Sequence, residues 1–209
     1  MPTDKFIFAN FNQLYKLDPN TFTVWMNILK RVPNSILWLL EYPSDAMANL
    51  FKEATSRGVN PDRIVFTPKA PKNEHINRCF LADLALDNTI TNGHTTSCDL
   101  LWSGCPMITM PATENMPSRV AASICCAIGC PEMVALSYND YEEKAVAYAT
   151  NGNLLQELRT KVQNNRMTCP LFDTKRWVKN LEQGLFHAWQ VYVSQGTYCH
   201  IEVVDTEAQ

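Results

Sequence analysis

One segment carries side chains whose types and spacing suit an anionic ligand. Residues 91–96, TNGHTT, lead directly into the apolar helix signal SCDLLWSG. The free N–H groups at a helix start bind phosphate, and Gly93 lets the backbone approach a ligand closely. The hydroxyls of Thr95 and Thr96 add donors there, and Asp99 lies one turn further on the same face, where its carboxylate can accept from sugar hydroxyls. The sequence therefore predicts phosphate at the helix start and ribose one turn further in.

Structural interpretations of the same residues stay open. Thr95 or Thr96 would then only cap the helix, and Asp99 would be an exposed carboxylate, since Ser and Thr are common caps. His94 and Cys98 have the i, i+4 spacing of metal ligands, but no third ligand is in view, so a metal site there is disfavoured.

Two further segments carry polar groups of this kind. In residues 69–78, KAPKNEHINR, intervals of three place Lys72, His75 and Arg78 on one helix face as a cation, a flat ring and a donor. Residues 12–16, NQLYK, offer an amide and an ammonium. The alternatives are an ordinary solvated basic helix face for the first segment and a solvent-exposed lysine without a binding role for the second.

Apolar runs that read as strands precede these segments. Strands predicted at 6–11, 35–42, 63–67, 84–87 and 106–110 alternate with helices predicted at 21–31, 46–57, 73–81, 95–103 and 118–128. Because each parallel neighbour needs a crossover, the alternation predicts an α/β fold with a Rossmann-like, doubly wound parallel sheet. Ligands bind beyond the carboxyl ends of such strands, and all three polar segments begin there.

The pattern becomes purely helical after Val134, with helices predicted at 141–150, 154–164 and 173–194. We therefore divide the chain into a Rossmann-like lobe (1–135), a C-terminal helical segment that packs on the lobe (136–196) and a loose tail (197–209). An apolar stripe is predicted on the last helix by four residues spaced by four, namely Trp177, Leu181, Leu185 and Trp189.

Composition excludes several classes of protein. The 209 residues carry a formal net charge of −3, so no broad positive field is available for nucleic acid or an anionic membrane surface. No signal-like start or membrane-spanning apolar run occurs, and we expect a soluble protein that is not secreted. The eight cysteines are scattered without a CxxC pair, which favours reduced core thiols over disulfides or structural zinc. GxGxxG and P-loop motifs are also absent.

Six stretches of the chain carry a family resemblance. FNQLYKLDP, RVPNSILWLL, RIVFTPKAPKNEH, NGHTTSCDLLWSGCPMITMP, SRVAAS and CPLFDTKRW, in order from about Phe6 to about Tyr192, closely resemble the C-terminal catalytic lobe of the protein O-GlcNAc transferases. The resemblance implies a GT-B architecture, in which two Rossmann-like lobes face a cleft. It also implies transfer of N-acetylglucosamine from UDP-GlcNAc to Ser and Thr hydroxyls of nuclear and cytosolic proteins, and hence a nuclear and cytoplasmic location.

The resemblance implies roles for residues on the phosphate side. Gln13 and Lys16 would flank the diphosphate, with Lys16 as the catalytic residue, and the phosphates would be held by His94, Thr95 and Thr96. No DxD pair is present to hold a metal ion. A lysine, a helix start and hydroxyl donors would neutralise the departing UDP instead, so no metal cofactor and inversion at the anomeric centre are expected.

On the nucleoside side, the resemblance implies that the uracil meets the backbone of Ala70. Asp99 would hold the ribose, and the nucleoside would be surrounded by Lys72, His75 and Arg78. In residues 112–117, ATENMP replaces the glycine-containing loop expected before SRVAAS, which leaves the sugar-side contacts open.

The other catalytic lobe and the TPR repeats of that family are expected upstream of these 209 residues. We therefore expect the UDP-binding half of a transferase, inactive alone. The alternatives are a non-catalytic nucleotide-binding or interaction module and a GT-B transferase with another sugar or acceptor.

Overall fold

A five-stranded parallel sheet forms the centre of the computed structural model, which describes residue 2 and residues 4–205. The strands lie in the order β3-β2-β1-β4-β5. Their bounds are β1 Phe6–Asn10, β2 Ser35–Leu40, β3 Ile64–Thr67, β4 Leu84–Leu86 and β5 Met107–Ile108.

Helices connect and follow the strands. Four precede or connect the later strands, namely α1 Pro19–Arg31, α2 Ala46–Ser56, α3 Lys72–Cys79 and α4 Thr95–Ser103. Four follow the last strand, namely α5 Met116–Ala127, α6 Tyr138–Thr150, α7 Gly152–Asn165 and α8 Thr174–Gln195. Short 3₁₀ turns lie at Leu14–Lys16, Pro61–Arg63, Pro131–Met133 and Pro170–Phe172. The predicted α/β class with a parallel sheet is confirmed.

Burial on both faces explains the apolar strands. Every residue of β2 is buried, as a central parallel strand covered on both faces requires. α1 begins at Pro19, earlier than predicted, because Asp18 accepts the N–H groups of Asn20 and Thr21 as a cap. β5 is shorter than predicted, because Thr109 leaves β4 and pairs with the segment around Val134.

The predicted helical segment contributes to the same core. Tyr141 of α6 is 1% exposed; its hydroxyl donates to the Asp87 carbonyl (2.9 Å) and accepts from the indole N–H of Trp25 (3.3 Å). In contrast, no residue of α8 is buried. Within the residues that the structure describes, no helix is long and apolar enough to cross a membrane.

The predicted tail forms no regular element over residues 197–205 but contacts α8. Arg176 pairs with Asp205, and a Cβ built on Gly184 would lie 3.1 Å from the Cγ2 of Val203. Residues 206–209 of that predicted tail lie outside the described residues. The division into lobe, helical segment and tail stays a prediction.

Candidate functional site

The strand order reverses between β1 and β4, and the loops that leave these two strands meet at one edge of the sheet. β1 pairs with β2 on one side and with β4 on the other. The loops are residues 11–16 and 87–94, and each carries a buried polar side chain at or next to its first residue, namely Asn12 and Asp87. Such a reversal is the usual ligand site of a doubly wound sheet. We call this region the switch-point edge.

A fully buried carboxylate organises the switch-point edge. Asp87 Oδ1 accepts the Gly93 N–H (2.7 Å) and the Asn12 amide (3.1 Å), and Oδ2 accepts the Thr109 hydroxyl (2.8 Å). Burial raises the pKa of Asp87 to about 7, although the hydrogen bonds from Gly93 and Thr109 oppose the rise. Sequence reasoning missed this residue and treated it only as the end of a strand. The available signal was polar Asn and Asp at the ends of adjacent apolar strands, since buried polar groups require partners.

Asn12 links Asp87 to the first turn of α4. Its Nδ2 donates to Asp87 and to Asn88 Oδ1 (2.9 Å), which leaves its Oδ1 to accept the Thr96 hydroxyl (2.8 Å). The Thr96 proton is therefore already used, and this hydroxyl presents lone pairs rather than a donor. The prediction that both threonine hydroxyls are donors to a ligand is therefore not met by Thr96, whose hydroxyl proton goes to Asn12.

The start of α4 has no cap. The residue before the helix is His94, whose side chain makes no capping bond, and no described residue accepts the N–H groups of Thr95, Thr96 or Ser97. The interpretation of Thr95 or Thr96 as mere caps therefore does not describe this helix. A Cβ on Gly93 would lie 2.5 Å from the Ser97 hydroxyl oxygen, so only glycine fits this loop without a shift.

Lys16 lies beside the same loop. Its Nζ donates to the Asn92 carbonyl (3.1 Å), so an ammonium stands at the edge where α4 begins. The Nε2 of His94 is buried and meets no partner in the described part of the chain. Gln13 is half-buried, and its side chain makes no hydrogen bond to any described residue. The predicted phosphate-side residues thus share one edge, with Gln13 at its border.

One turn into α4, Asp99 is 9% exposed and has basic neighbours. Lys72 Nζ donates to Asp99 Oδ1, and His75 Nε2 lies 3.5 Å from Asp99 Oδ2. Lys72 itself is exposed. Asp99 is therefore not the solvated carboxylate of the structural interpretation, and both of its predicted ribose-binding oxygens have basic partners.

His75 and Arg78 pack as a unit against Phe11. The rings of His75 and Phe11 meet edge-on at 5.5 Å, and the Arg78 guanidinium lies 4.9 Å from the Phe11 centroid. Arg78 Nε donates to His75 Nδ1 (3.1 Å), so in neutral His75 the proton sits on Nε2, toward Asp99. Burial and then the charge of Arg78 lower the pKa of His75, while Asp99 acts in the opposite direction. Both residues are half-buried, unlike an ordinary solvated basic face.

Ala70 lies in the turn between β3 and α3. Arg78 donates to the Pro68 carbonyl (2.7 Å) and so ties this turn to α3. The backbone of Ala70 borders an open groove that is also lined by Trp38 and Phe66. The predicted nucleoside-side residues therefore surround the beginning of α3, one turn of α4 away from the phosphate-side group.

The described residues contain no group of three His, Cys, Asp or Glu side chains that could hold a metal ion. His94 and Cys98 accordingly gain no third ligand. All eight cysteines are free thiols and four of them are buried, but Cys126 and Cys199 are exposed, so the prediction of core thiols is wrong for these two. Ahead of α5, the Thr113 N–H donates to the Ser118 hydroxyl (3.1 Å), which donates to the Thr89 carbonyl (2.6 Å). This connection fixes the unusual loop 112–117 beside the switch-point edge.

The sequence matches the model of a known protein family. That family is described as "Glycosyl transferase family 41", and the match covers residues 1–181. The chain belongs to glycosyl transferase family 41. The resemblance noted in the sequence is thereby confirmed.

Curated relatives of this family 41 chain are much longer than it is. It is 50% identical to the probable UDP-N-acetylglucosamine–peptide N-acetylglucosaminyltransferase SEC of Arabidopsis thaliana, over 100% of this chain and 21% of the relative. It is 44% identical to the UDP-N-acetylglucosamine–peptide N-acetylglucosaminyltransferase of Caenorhabditis elegans, over 96% of this chain and 17% of the relative. The chain thus spans about a fifth of the length of these relatives.

Solved structures agree on the fold. The family 41 chain superposes on a mutant O-GlcNAc transferase of Thermobaculum terrenum with a TM-score of 0.86 and 24% identity, covering 94% of this chain and 38% of that one. HepE of Anabaena, solved with UDP and glucose, gives a TM-score of 0.63 and 11% identity, covering 86% and 49% of the two chains. These similarities show that the sheet is a lobe of a GT-B glycosyltransferase fold.

Proposed function

We propose that this family 41 chain is the nucleotide-sugar-binding lobe of a protein O-GlcNAc transferase. The whole enzyme moves N-acetylglucosamine from UDP-GlcNAc to Ser and Thr hydroxyls of nuclear and cytoplasmic proteins. The observation that carries this proposal is the uncapped start of α4 at the switch-point edge, where free N–H groups adjoin the Lys16 ammonium. An uncapped helix start beside a cation is a site for an anion such as a diphosphate.

The diphosphate lies against the N–H groups of Thr95, Thr96 and Ser97 in this proposal, with Lys16 and Gln13 beside it. The exposed Thr95 hydroxyl and the unpaired His94 Nε2 supply further contacts. These groups would do the work that a DxD-bound metal does in other transferases, so transfer needs no metal ion.

The ribose binds to Asp99 in competition with Lys72. Since Lys72 is exposed, its ion pair with Asp99 is weakly held and the ammonium can turn toward the ligand. In contrast to Lys72, His75 keeps its position next to Asp99 when the ribose binds, because packing on Phe11 and the hydrogen bond from Arg78 fix its ring. The uracil lies over the turn at Ala70.

The reaction is a single displacement. The acceptor oxygen forms a bond to C1 of N-acetylglucosamine as the bond from C1 to the β-phosphate oxygen breaks, and the electron pair leaves with UDP. Negative charge grows on that oxygen, and Lys16 and the α4 N–H groups stabilise it. Attack opposite the departing UDP inverts the anomeric centre. Because the chain spans about a fifth of its relatives, we assign the acceptor site and the group that removes the acceptor proton to other parts of the enzyme.

Calorimetric titration of the 209-residue chain with UDP and with UDP-GlcNAc, with and without Mg²⁺, tests the proposal. We expect both nucleotides to bind and Mg²⁺ to leave the affinity unchanged. A folded sample that binds neither nucleotide, or binds only with Mg²⁺, would refute it. Competition by UDP-glucose and UDP-GalNAc measures the preference for the sugar.

A further inference from the structure

Asp87 is buried next to the loop of the proposed phosphate site, and its carboxylate accepts hydrogen bonds from Gly93, Asn12 and Thr109. Oδ1 accepts hydrogen bonds from Gly93 and Asn12, which belong to the loops of the switch-point edge. Oδ2 accepts the hydroxyl of Thr109, which follows β5. The two halves of one carboxylate therefore have separable partners.

Two short routes lead from Asp87 Oδ1 to the start of α4. The first passes through the Gly93 N–H, which fixes the peptide two residues before the helix. The second passes through Asn12, whose Oδ1 receives the Thr96 hydroxyl in the first turn. Loss of Oδ1 would release Gly93 and also allow the Asn12 amide to rotate, since one of the two acceptors that orient it would be gone.

We propose that Asp87 is a positioning residue for the nucleotide, which acts through Gly93 and Asn12 to hold the first-turn N–H groups of α4 in their binding orientation. This inference rests on the proposed function, because it takes UDP as the ligand of that helix start. The role depends on an acceptor oxygen, not on charge. An asparagine at position 87 keeps one carbonyl oxygen for both N–H donors, and its amide can face the Thr109 hydroxyl, which also accepts.

The test compares Asp87→Asn, Asp87→Ala and Asn12→Ala with the unaltered chain in titrations with UDP and with uridine, followed by ligand-observed NMR. Thr109→Val is the matched control, since it removes the partner of the other oxygen of the same carboxylate. Uridine lacks the phosphates and reports only on the nucleoside side. Thermal unfolding of each variant confirms that it is folded.

We expect Asp87→Ala and Asn12→Ala to weaken UDP binding about tenfold, the effect of losing one or two buried hydrogen bonds, and to leave uridine binding unchanged. Asp87→Asn and Thr109→Val should bind UDP within about threefold of the unaltered chain.

Equal loss for UDP and uridine, unaltered UDP binding by Asp87→Ala, or a loss in Asp87→Asn as large as in Asp87→Ala would overturn the inference. If Asp87→Ala does not fold, Asn12→Ala decides the question alone. A folded, unaltered chain that binds no UDP would instead overturn the proposed function, and this inference with it.

Discussion

The switch-point edge and α8 differ in which kind of side chain they bury and which kind they expose. At the edge, polar side chains such as Asp87 and Asn12 are buried and fully paired. On α8, large apolar side chains such as Trp177 and Trp189 are more than half exposed, and no residue of the helix is buried. The buried polar side chains of the edge are paired by residues of this chain, whereas α8 presents apolar surface that the described residues leave uncovered.

A matched pair of tryptophans tests this contrast most directly. Trp25 is 1% exposed and donates to Tyr141, whereas Trp189 is 63% exposed. Trp25→Ala should lower the free energy of unfolding by about 3–5 kcal/mol, because it opens a cavity and removes a buried bond. Trp189→Ala should change it by less than about 0.5 kcal/mol. Urea unfolding measures both, and similar losses in the two variants would contradict the contrast.

The cation of the edge should matter for chemistry more than for stability. In the assembled transferase, Lys16→Met should reduce kcat by about 100-fold or more, because the proposed mechanism places the ammonium next to charge that grows in the transition state. Lys52→Met, at an exposed position of α2, is the control and should leave kcat unchanged. A rise in KM alone in the Lys16 variant would exclude the leaving-group role.

Asp87 makes the edge sensitive to pH. Its folded-state pKa of about 7 lies above the ordinary 3.8, so between these values the folded state holds a proton that the unfolded state has lost. Stability from this group therefore falls as pH rises through that window, by at most about 1.4 kcal/mol per pH unit, and is constant outside it.

Asp87→Asn removes this dependence. The difference in unfolding free energy between Asp87→Asn and the unaltered chain should grow from pH 4 to pH 7 and then level off. A flat difference for position 87 would mean that burial does not perturb this carboxyl.

The exposed face of α8 should make the isolated chain self-associate. Replacing Leu185 and Trp189 together by Glu should weaken association by about tenfold or more, since each buried apolar side chain contributes about 1.5–3 kcal/mol. The same change should leave UDP affinity unaltered, because neither residue takes part in the hydrogen bonds that order the edge. Sedimentation of the unaltered chain as a clean monomer at high concentration would contradict the prediction.

Local patterns in the sequence were sufficient to predict the helix and the sheet that position the candidate site. The bounds of α4 agree with the prediction, because a polar loop with Gly93 precedes the apolar run and Gly104 ends it with a φ of +84°. The parallel sheet followed from alternating strands and helices. The residues suggested by the motifs lie at the start of α4, on α3 and in the turn before it, and in the loop after β1, but their binding roles stay predictions.

What the sequence did not reveal depends on contacts between distant residues. Asp87 and Asn12 are 75 positions apart, and Lys72 and Asp99 are 27 apart. Neither pair has a spacing that periodicity detects, because strand order brings them together. The direction of the Thr96 proton was also unpredictable, since it follows from the acceptors that surround Asn12 rather than from the type of residue 96.

The hydroxyl of Tyr141 spans the predicted border between the lobe and the helical segment. It joins the Asp87 carbonyl to the Trp25 indole, so α6 supports the end of β4, from which the loop of residues 87–94 leaves. Cutting the chain after residue 135 would therefore remove a support of that loop. A fragment that is to keep the switch-point edge intact has to extend through α6.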